Sequence, residues 1–529
     1  MSSVVEALPA AKLASILEEY LAEHPAAALL EDGRVLFDMR LARYSIAESH
    51  GRCLLQFWSE ERNLVRTVVE IQPRAHSLRV MTRRMGAPKP QALELVPSSD
   101  RRTPTVRDSS RRNYQRLLER VLSRAFLGAK VDGFRSGMDL EHSFGPAYVR
   151  GRLLRGTASD AVIGVSEAES SATIDGILTL GILWLDYCRE KADARRHFGG
   201  LKVIVSRGAF QTTAERMAWL NHAAANFELY TLDQRSEELE AVDFRDVGNR
   251  TARLVHAFSA KAALERCQSG ISRIMQLLPP GAQSRIEIRP GSATEVGLSL
   301  HGLEFARVRC GSAAHSFAPQ EEIIFGAGAN ETPLTDETED LCRELCARLF
   351  AGRQRDGAYN DPLFRMQPER WLESEFRCGL SELLPFLRSD VLYSQVPALS
   401  SGDRGMLDLL TLDRQGRLTV IELKADEDLH LPLQTLDYWI RVRALNADRR
   451  HTAAGDRSLC AFEREGYFPG SEVSELPPRL LLAAPALRIH PANLPVLRYL
   501  SPEVDWELIA LSEHWRQELK IVFRKRPNQ

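Results

Sequence analysis

Asp408, Glu422 and Lys424 are the residues of this 529-residue chain whose types and spacing could do chemistry together. They lie in the stretch Arg404–Lys424, where two apolar runs, Met406–Leu412 and Leu418–Leu423, flank the polar turn Asp413-Arg414-Gln415-Gly416-Arg417. The pattern predicts a β-hairpin in which Gly416 supplies the positive φ of the turn. A loop centred on Gln415 sets Asp408 opposite Glu422, and opposed residues of an antiparallel pair share a face. The two-residue period of a strand puts Lys424 on that face as well. Carboxylates held close on a rigid sheet raise each other's pKa unless a cation neutralises them. A hard divalent ion suits such a pair: magnesium, or manganese in its place, binds through one or two carboxylates and keeps positions open for water and phosphate. The ion would polarise a phosphate and generate a hydroxide nucleophile while the lysine holds developing charge, so the chemistry implied is phosphodiester hydrolysis. The ordinary alternative is a solvated hairpin carrying surface charges. Against it, the nearly continuous apolar run around Glu422 reads as a strand buried on both faces, where a charge needs partners.

Four segments follow one another around this stretch: Pro368-Glu369-Arg370-Trp371-Leu372-Glu373 on a helix, Gly405-Met406-Leu407-Asp408-Leu409-Leu410, Ile421-Glu422-Leu423-Lys424, and Pro432-Leu433-Gln434-Thr435-Leu436-Asp437-Tyr438 on a second helix. In that order they resemble the PD-(D/E)XK nuclease superfamily, most nearly the C-terminal domain of NucS-like endonucleases, over roughly residues 365–450. The resemblance implies a restriction-endonuclease-like α/β domain and a Mg2+ or Mn2+ cofactor. It also implies Asp408, Glu422 and the helix-borne Glu373 as metal ligands, Lys424 as the catalytic lysine and Gln434 as an accessory glutamine. Glu375 competes with Glu373 for the helix position. Leu407 stands where the nominal motif of the superfamily has proline.

The elements that must position these residues belong to a long chain. A sequence of 529 residues divides into several domains, and 44% hydrophobic with 26% charged residues is an ordinary globular composition. A formal net charge of -2 argues against nonspecific coating of nucleic acid by the overall field. The eight cysteines show no metal or disulfide spacing; Cys342 and Cys346 read as core residues of an amphipathic helix, and reduced thiols fit a cytoplasmic location. No signal peptide is visible, and the most apolar segment, Ile174–Cys188, is too short to span a bilayer and reads as a buried helix.

Four regions are expected in an α+β multidomain arrangement. Residues 1–105 pair a helix, Val4–Ala22, with a small antiparallel β module whose strands cover Val35–Met39, Ala42–Ser49, Cys53–Ser59, Leu64–Gln72, Leu78–Thr82 and Ala92–Val96. Residues 106–265 alternate strand and helix as a middle α/β domain, including a helix over Thr213–Ala225, and a degenerate second copy of the nuclease-like order is entertained there. Residues 266–355 form a mixed connector, a mainly helical segment over Val242–Leu278 runs across its start, and residues 356–529 form the nuclease-like domain. Between Arg74 and Arg155, 18 basic residues face 7 acidic ones, the best footprint in the chain for a phosphate backbone. Arg111, Arg112, Arg116, Arg120 and Arg124 fall on one helix capped by Ser109 or Ser110, with Leu117, Leu118, Val121, Leu122 and Ala125 as its buried stripe. Those arginines either meet nucleic acid or pair with acids elsewhere. Tyr438, one turn beyond Gln434, could meet substrate or pack. The glycine-rich exit 324–330 reads as a turn, and Asp426-Glu427-Asp428 as a solvated loop.

The expected function is therefore a metal-dependent endonuclease acting on DNA before RNA, with no membrane association and with a homodimer left open. Two rivals stand beside it: a non-catalytic nucleic-acid-binding or assembly protein that keeps the nuclease fold, and a regulatory nuclease gated by a ligand of the middle domain.

Overall fold

The computed structural model describes residues 9–527 apart from 32–33, 41, 50, 59–62, 84–89, 101–103, 140–141, 247–252, 313–318, 328–330, 401–402 and 452–457. Parts of the basic stretch, the tip of the glycine-rich exit and the start of the first expected helix lie outside these residues. The chain is a mixed α/β protein with several sheets. It divides into two compact units: one formed by Met1–Arg155, Gly164–Ile174 and Leu232–Leu239, the other by Gly156–Ile163, Asp175–Thr231 and Glu240–Gln529. No helix among the described residues is long and apolar enough to cross a membrane. All eight cysteines are free thiols, and Cys342 and Cys346 lie in the core.

In the first unit, all six expected strands join a seven-stranded antiparallel sheet. Its seventh strand, Ala28–Glu31, is a short buried run without the alternation that betrays a half-exposed strand. The alternation elsewhere, as in Arg52–Trp58 and Ser77–Arg83, buries one face against Leu13, Leu17 and Leu21 of the helix Ala10–Glu23. The arginine-bearing helix starts at Pro104, not at a serine cap, and runs to Ala125. Proline in the first turn lacks an N–H that would be unsatisfied there anyway, so Ser109 and Ser110 lie inside the helix. Its buried face is Tyr114, Leu118, Val121 and Leu122, while Ala125 is exposed.

In the second unit, the strand His197–Val205 pairs in parallel with residues 226–231, from Gly200↔Asn226 to Val205↔Thr231. The expected helix over Thr213–Ala225 is only Gln211–Met217. Beyond it the backbone turns to bond another segment, Ser501 N–H donating to Trp219 O at 2.8 Å and Asn221 N–H to Tyr499 O at 2.8 Å. The helix expected over Val242–Leu278 is also corrected. Val242 ends a strand, Arg253–Leu254 pairs with Ala398–Leu399 of another sheet, and helix begins only at Ala260, capped by the Ser259 side chain. Helices Ala260–Arg266, Gln268–Leu277 and Glu339–Gly352 then pack their apolar faces on a five-stranded antiparallel sheet of residues 286–333.

The C-terminal elements carry the site. They are α1 (Pro368–Leu383), β1 (Tyr393–Ser400), β2 (Asp403–Leu412), β3 (Leu418–Leu423), α2 (Leu431–Ala447), β4 (Arg479–Pro485), β5 (Asp505–Leu511) and β6 (Ile521–Lys525). The sheet runs from Arg253–Leu254 through β1, β2, β3, β4 and β5 to β6. Strands β1 to β3 pair antiparallel, β3 to β5 parallel, and β6 closes antiparallel. Every residue of β3 is buried, as its continuous apolar run implied. Trp371, Leu372, Phe376 and Leu380 of α1 pack on Leu409, Ile421, Leu423, Leu481 and Ile509, so α1 covers one face of the sheet centre.

Candidate active site

The hairpin register decides what meets. Leu409 lies opposite Ile421 and Leu412 opposite Leu418, a register centred on Gln415. In the turn, Asp413 Oδ1 accepts from the N–H groups of Gln415 at 2.8 Å and Arg417 at 2.9 Å, and Gly416 takes φ 79°. A Cβ at Gly416 would overlap Glu472 O, so the position excludes any other residue on two counts. One step beyond Leu409↔Ile421 stand Asp408 and Glu422, on the face opposite the α1-packed Leu409, Ile421 and Leu423. Leu423 N–H donates to Asp408 Oδ2 at 3.0 Å and ties the two strands at that point.

Glu422 is 4% exposed, and its Oε2 has no hydrogen-bond partner among the described residues. Burial first, then the neighbouring Asp408, push its carboxyl well above the ordinary range. Asp408 is raised too, by burial against the opposing Leu423 N–H, with Glu373 adding to the rise and Lys424 working against it. Lys424 Nζ stands 3.6 Å from Glu369 Oε1, 3.8 Å from Glu422 Oε1 and 4.0 Å from Asp428 Oδ2. Burial disfavours its charge, but Glu422, Glu369 and Asp428 outweigh that and raise its pKa, so the ammonium stays protonated.

Glu373, on α1, is 2% exposed. Its Oε1 accepts from Arg289 at 3.3 Å, and its Oε2 from Arg370 at 3.0 Å and from Gln395 Nε2 at 3.2 Å. The same Gln395 Nε2 lies 3.4 Å from Asp408 Oδ1. Glu375 belongs to a different network: it accepts from Trp371 Nε1 at 3.2 Å and Arg355 at 2.7 Å and pairs with His301 Nδ1 at 3.1 Å. Of the two helix acids, Glu373 is the one brought to Asp408. Burial, followed by Glu422 and Asp408, raises the phenol pKa of Tyr438 on α2. Gln434 is placed one turn before it, its N–H bonded to His430 O at 3.0 Å; no side-chain hydrogen bond joins it to the acids among the described residues. A cleft of about 500 Å3 opens among Gln367, Glu369, Arg370, Glu373, Asp408 and Asp426.

Asp408 and Glu422 suit a hard divalent cation: two carboxylates on neighbouring strands, one of them buried with an unpartnered oxygen and pushed up in pKa by the other. Among the described residues no group of three or more His, Cys, Asp or Glu side chains is arranged to hold a metal ion. Glu373, expected as a third ligand, is engaged by Arg289, Arg370 and Gln395.

The basic helix divides. Arg111 forms two hydrogen bonds with Glu169, at 2.7 and 3.0 Å, and Arg120 and Arg124 pair with Glu237. Arg112 and Arg116 are exposed. Sequence reasoning missed Glu369, Gln395 and Arg289. Glu369 had a signal, its i, i+4 spacing to Glu373 on α1; Gln395 and Arg289 had none. The chain matches no protein-family model and no curated protein.

Proposed function

We propose that the protein is a divalent-cation-dependent nuclease that hydrolyses phosphodiester bonds, in DNA before RNA, through Asp408, Glu422 and Lys424. The observation that carries this reading is Glu422, a carboxylate 4% exposed with one oxygen lacking a partner, next to Asp408 and 3.8 Å from Lys424. A fold gains nothing from a buried acid with an unpartnered oxygen set beside a second acid, an arrangement that costs stability unless a cation completes it. The order α1, three antiparallel strands, α2 and a parallel fourth strand supports the restriction-endonuclease-like resemblance.

Asp408 and Glu422 would hold the ion, magnesium or manganese. When bound, it would polarise a phosphate oxygen and lower the pKa of a water. The chain's own groups have distinct parts. Leu423 N–H fixes the Asp408 carboxylate. Lys424, kept charged by Glu422, Glu369 and Asp428, donates to an anionic oxygen and is no proton acceptor. Arg370, 44% exposed at the cleft rim, offers a guanidinium to a phosphate of the backbone.

Cleavage of single-stranded, duplex and branched DNA and of matched RNA, with and without Mg2+ or Mn2+, tests the reading in wild type and in Lys424→Ala. Cation-dependent cleavage that falls by orders of magnitude in the variant supports it. Binding without cleavage on every substrate would replace it with the non-catalytic nucleic-acid-binding protein.

A further inference from the structure

Gln395 has a backbone that its neighbours in β1 do not share. Its φ is 53°, in the left-handed region that a side chain other than glycine adopts at a cost, although Ser394↔Leu409 and Val396↔Leu407 keep strand pairing on both sides. In that register it stands opposite Asp408. A second non-glycine of the same kind, Gln367 with φ 46°, precedes α1 and lines the cleft. Left-handed residues other than glycine persist where the surroundings over-determine them, and they collect at sites where geometry matters.

The side chain accounts for the conformation. The single amide nitrogen Nε2 lies 3.2 Å from Glu373 Oε2 and 3.4 Å from Asp408 Oδ1, so its two hydrogens serve two carboxylates on different elements. A neutral donor differs here from an arginine or lysine. It links two acids that repel each other without adding a positive charge that would compete with a cation at Asp408. With Leu423 N–H on Oδ2, both oxygens of Asp408 are oriented.

We infer that Gln395 is a positioning residue of the cleft, a neutral amide clamp that sets Asp408 against Glu373 so that Asp408 and Glu422 accept a divalent cation. The inference rests on the cation-dependent reading of the site and adds to it a residue on a strand that carries none of the charged groups.

Two variants of the full-length chain separate the amide from the backbone. Gln395→Gly removes the amide and relieves the left-handed strain; Gln395→Leu removes the amide and keeps the strain. Mn2+ titration by calorimetry is expected to show binding weakened by about 10–100-fold in both, as for partners that orient a metal ligand. Thermal melting without metal is expected to place Gly above Leu. Affinity unchanged in both variants, or lost only in the less stable one, would overturn the inference. If the wild type binds Mn2+ but cleaves nothing, the nuclease reading fails and the two variants' Mn2+ affinities still decide the clamp. If the wild type takes up no Mn2+, the cation reading fails and melting alone decides. Gln395→Leu would then cost less in an Asp408→Asn background than in wild type if the clamp exists, and additivity of the two changes would overturn it.

Discussion

The N–H of Leu423 donates to Asp408 Oδ2 at 3.0 Å, so a backbone group of the strand that carries Glu422 orients the acid of the strand beside it. The two carboxylates are thereby held next to each other by the hairpin itself. The arrangement costs stability at one member of the pair in particular, and that cost can be measured.

Glu422→Gln is expected to stabilise the metal-free protein. Burial and the neighbouring Asp408 raise the pKa of this carboxyl well above the ordinary range, so holding it in the fold costs stability at pH 7, whereas an amide of the same shape carries no charge. Relief of one poorly satisfied buried acid is worth about 1–3 kcal/mol. Calorimetric melting in chelator at pH 7 checks it, and an unchanged or lower Tm would contradict the electrostatics assigned to this acid. Cation binding should fall in the same variant, a trade of function for stability.

Glu373 and Glu375 should separate by substitution to glutamine. Glu373→Gln removes an acid whose Oε2 shares the Gln395 amide with Asp408 and is expected to weaken Mn2+ binding; Glu375→Gln should leave it unchanged. Glu375 is a stability residue instead. Burial alone would raise its pKa, but His301, Arg355 and Trp371 together hold it below the ordinary glutamate range. An acid whose folded pKa is depressed contributes stability above the unfolded pKa and loses it as pH falls through the folded one. Glu375→Gln should therefore cost about 1–3 kcal/mol at pH 7, with the deficit shrinking in acid below the unfolded glutamate pKa near ~4.3. Denaturant melts across that range measure it.

Arg353 should prove intolerant of an apolar isostere. It is 0% exposed, lies over Trp371 with 4.4 Å from guanidinium carbon to ring centroid, and donates to the carbonyls of Leu300, His301, Leu363 and Met366. Burial, then the charge of Arg516, lowers its pKa to about 9, so the carbonyls are what keep the cation in place. Arg353→Met leaves four acceptors without a donor and is expected to cost at least about 3 kcal/mol in urea unfolding.

Gly302→Ala is expected to damage fold and site together. The residue has φ 73°, and a Cβ there would overlap Arg370 O in the first turns of α1. The strain and the displacement of α1 should destabilise by about 2 kcal/mol or more. Because Glu369 and Glu373 ride on that helix, Mn2+ affinity should drop in parallel, as titration of the purified variant would show.

Much of this protein was legible without coordinates. Two apolar runs around a glycine-bearing turn determine a hairpin and its register, because the period of a strand is two and a slip by one residue would turn every buried side chain outward. That is why Asp408, Glu422 and Lys424 could be placed together from their positions alone, and why six short alternating runs could be read as strands. Patterns fail where the alternation or the helical period is present but a distant segment competes for the backbone. Trp219 to Asn221 read as helix and instead bond residues 499–501, and Arg253–Leu254 read as helix and instead join β1.

Tertiary structure alone decided the rest, for a physical reason common to each case: partners far apart in the chain leave no periodic trace. Nothing in the spacing of Glu373 and Glu375 says which meets Arg289 and Gln395 and which meets His301 and Arg355. Nothing in the row of arginines says that Arg111 ends on Glu169 and Arg120 on Glu237. Gln395, left-handed in a strand and bonded to acids on two other elements, is a property of the assembled fold. The sequence by itself determined which residues could do the chemistry, through local pattern and charge; the packing of α1, β1 and the five-stranded sheet of residues 286–333 determined how each acid is held.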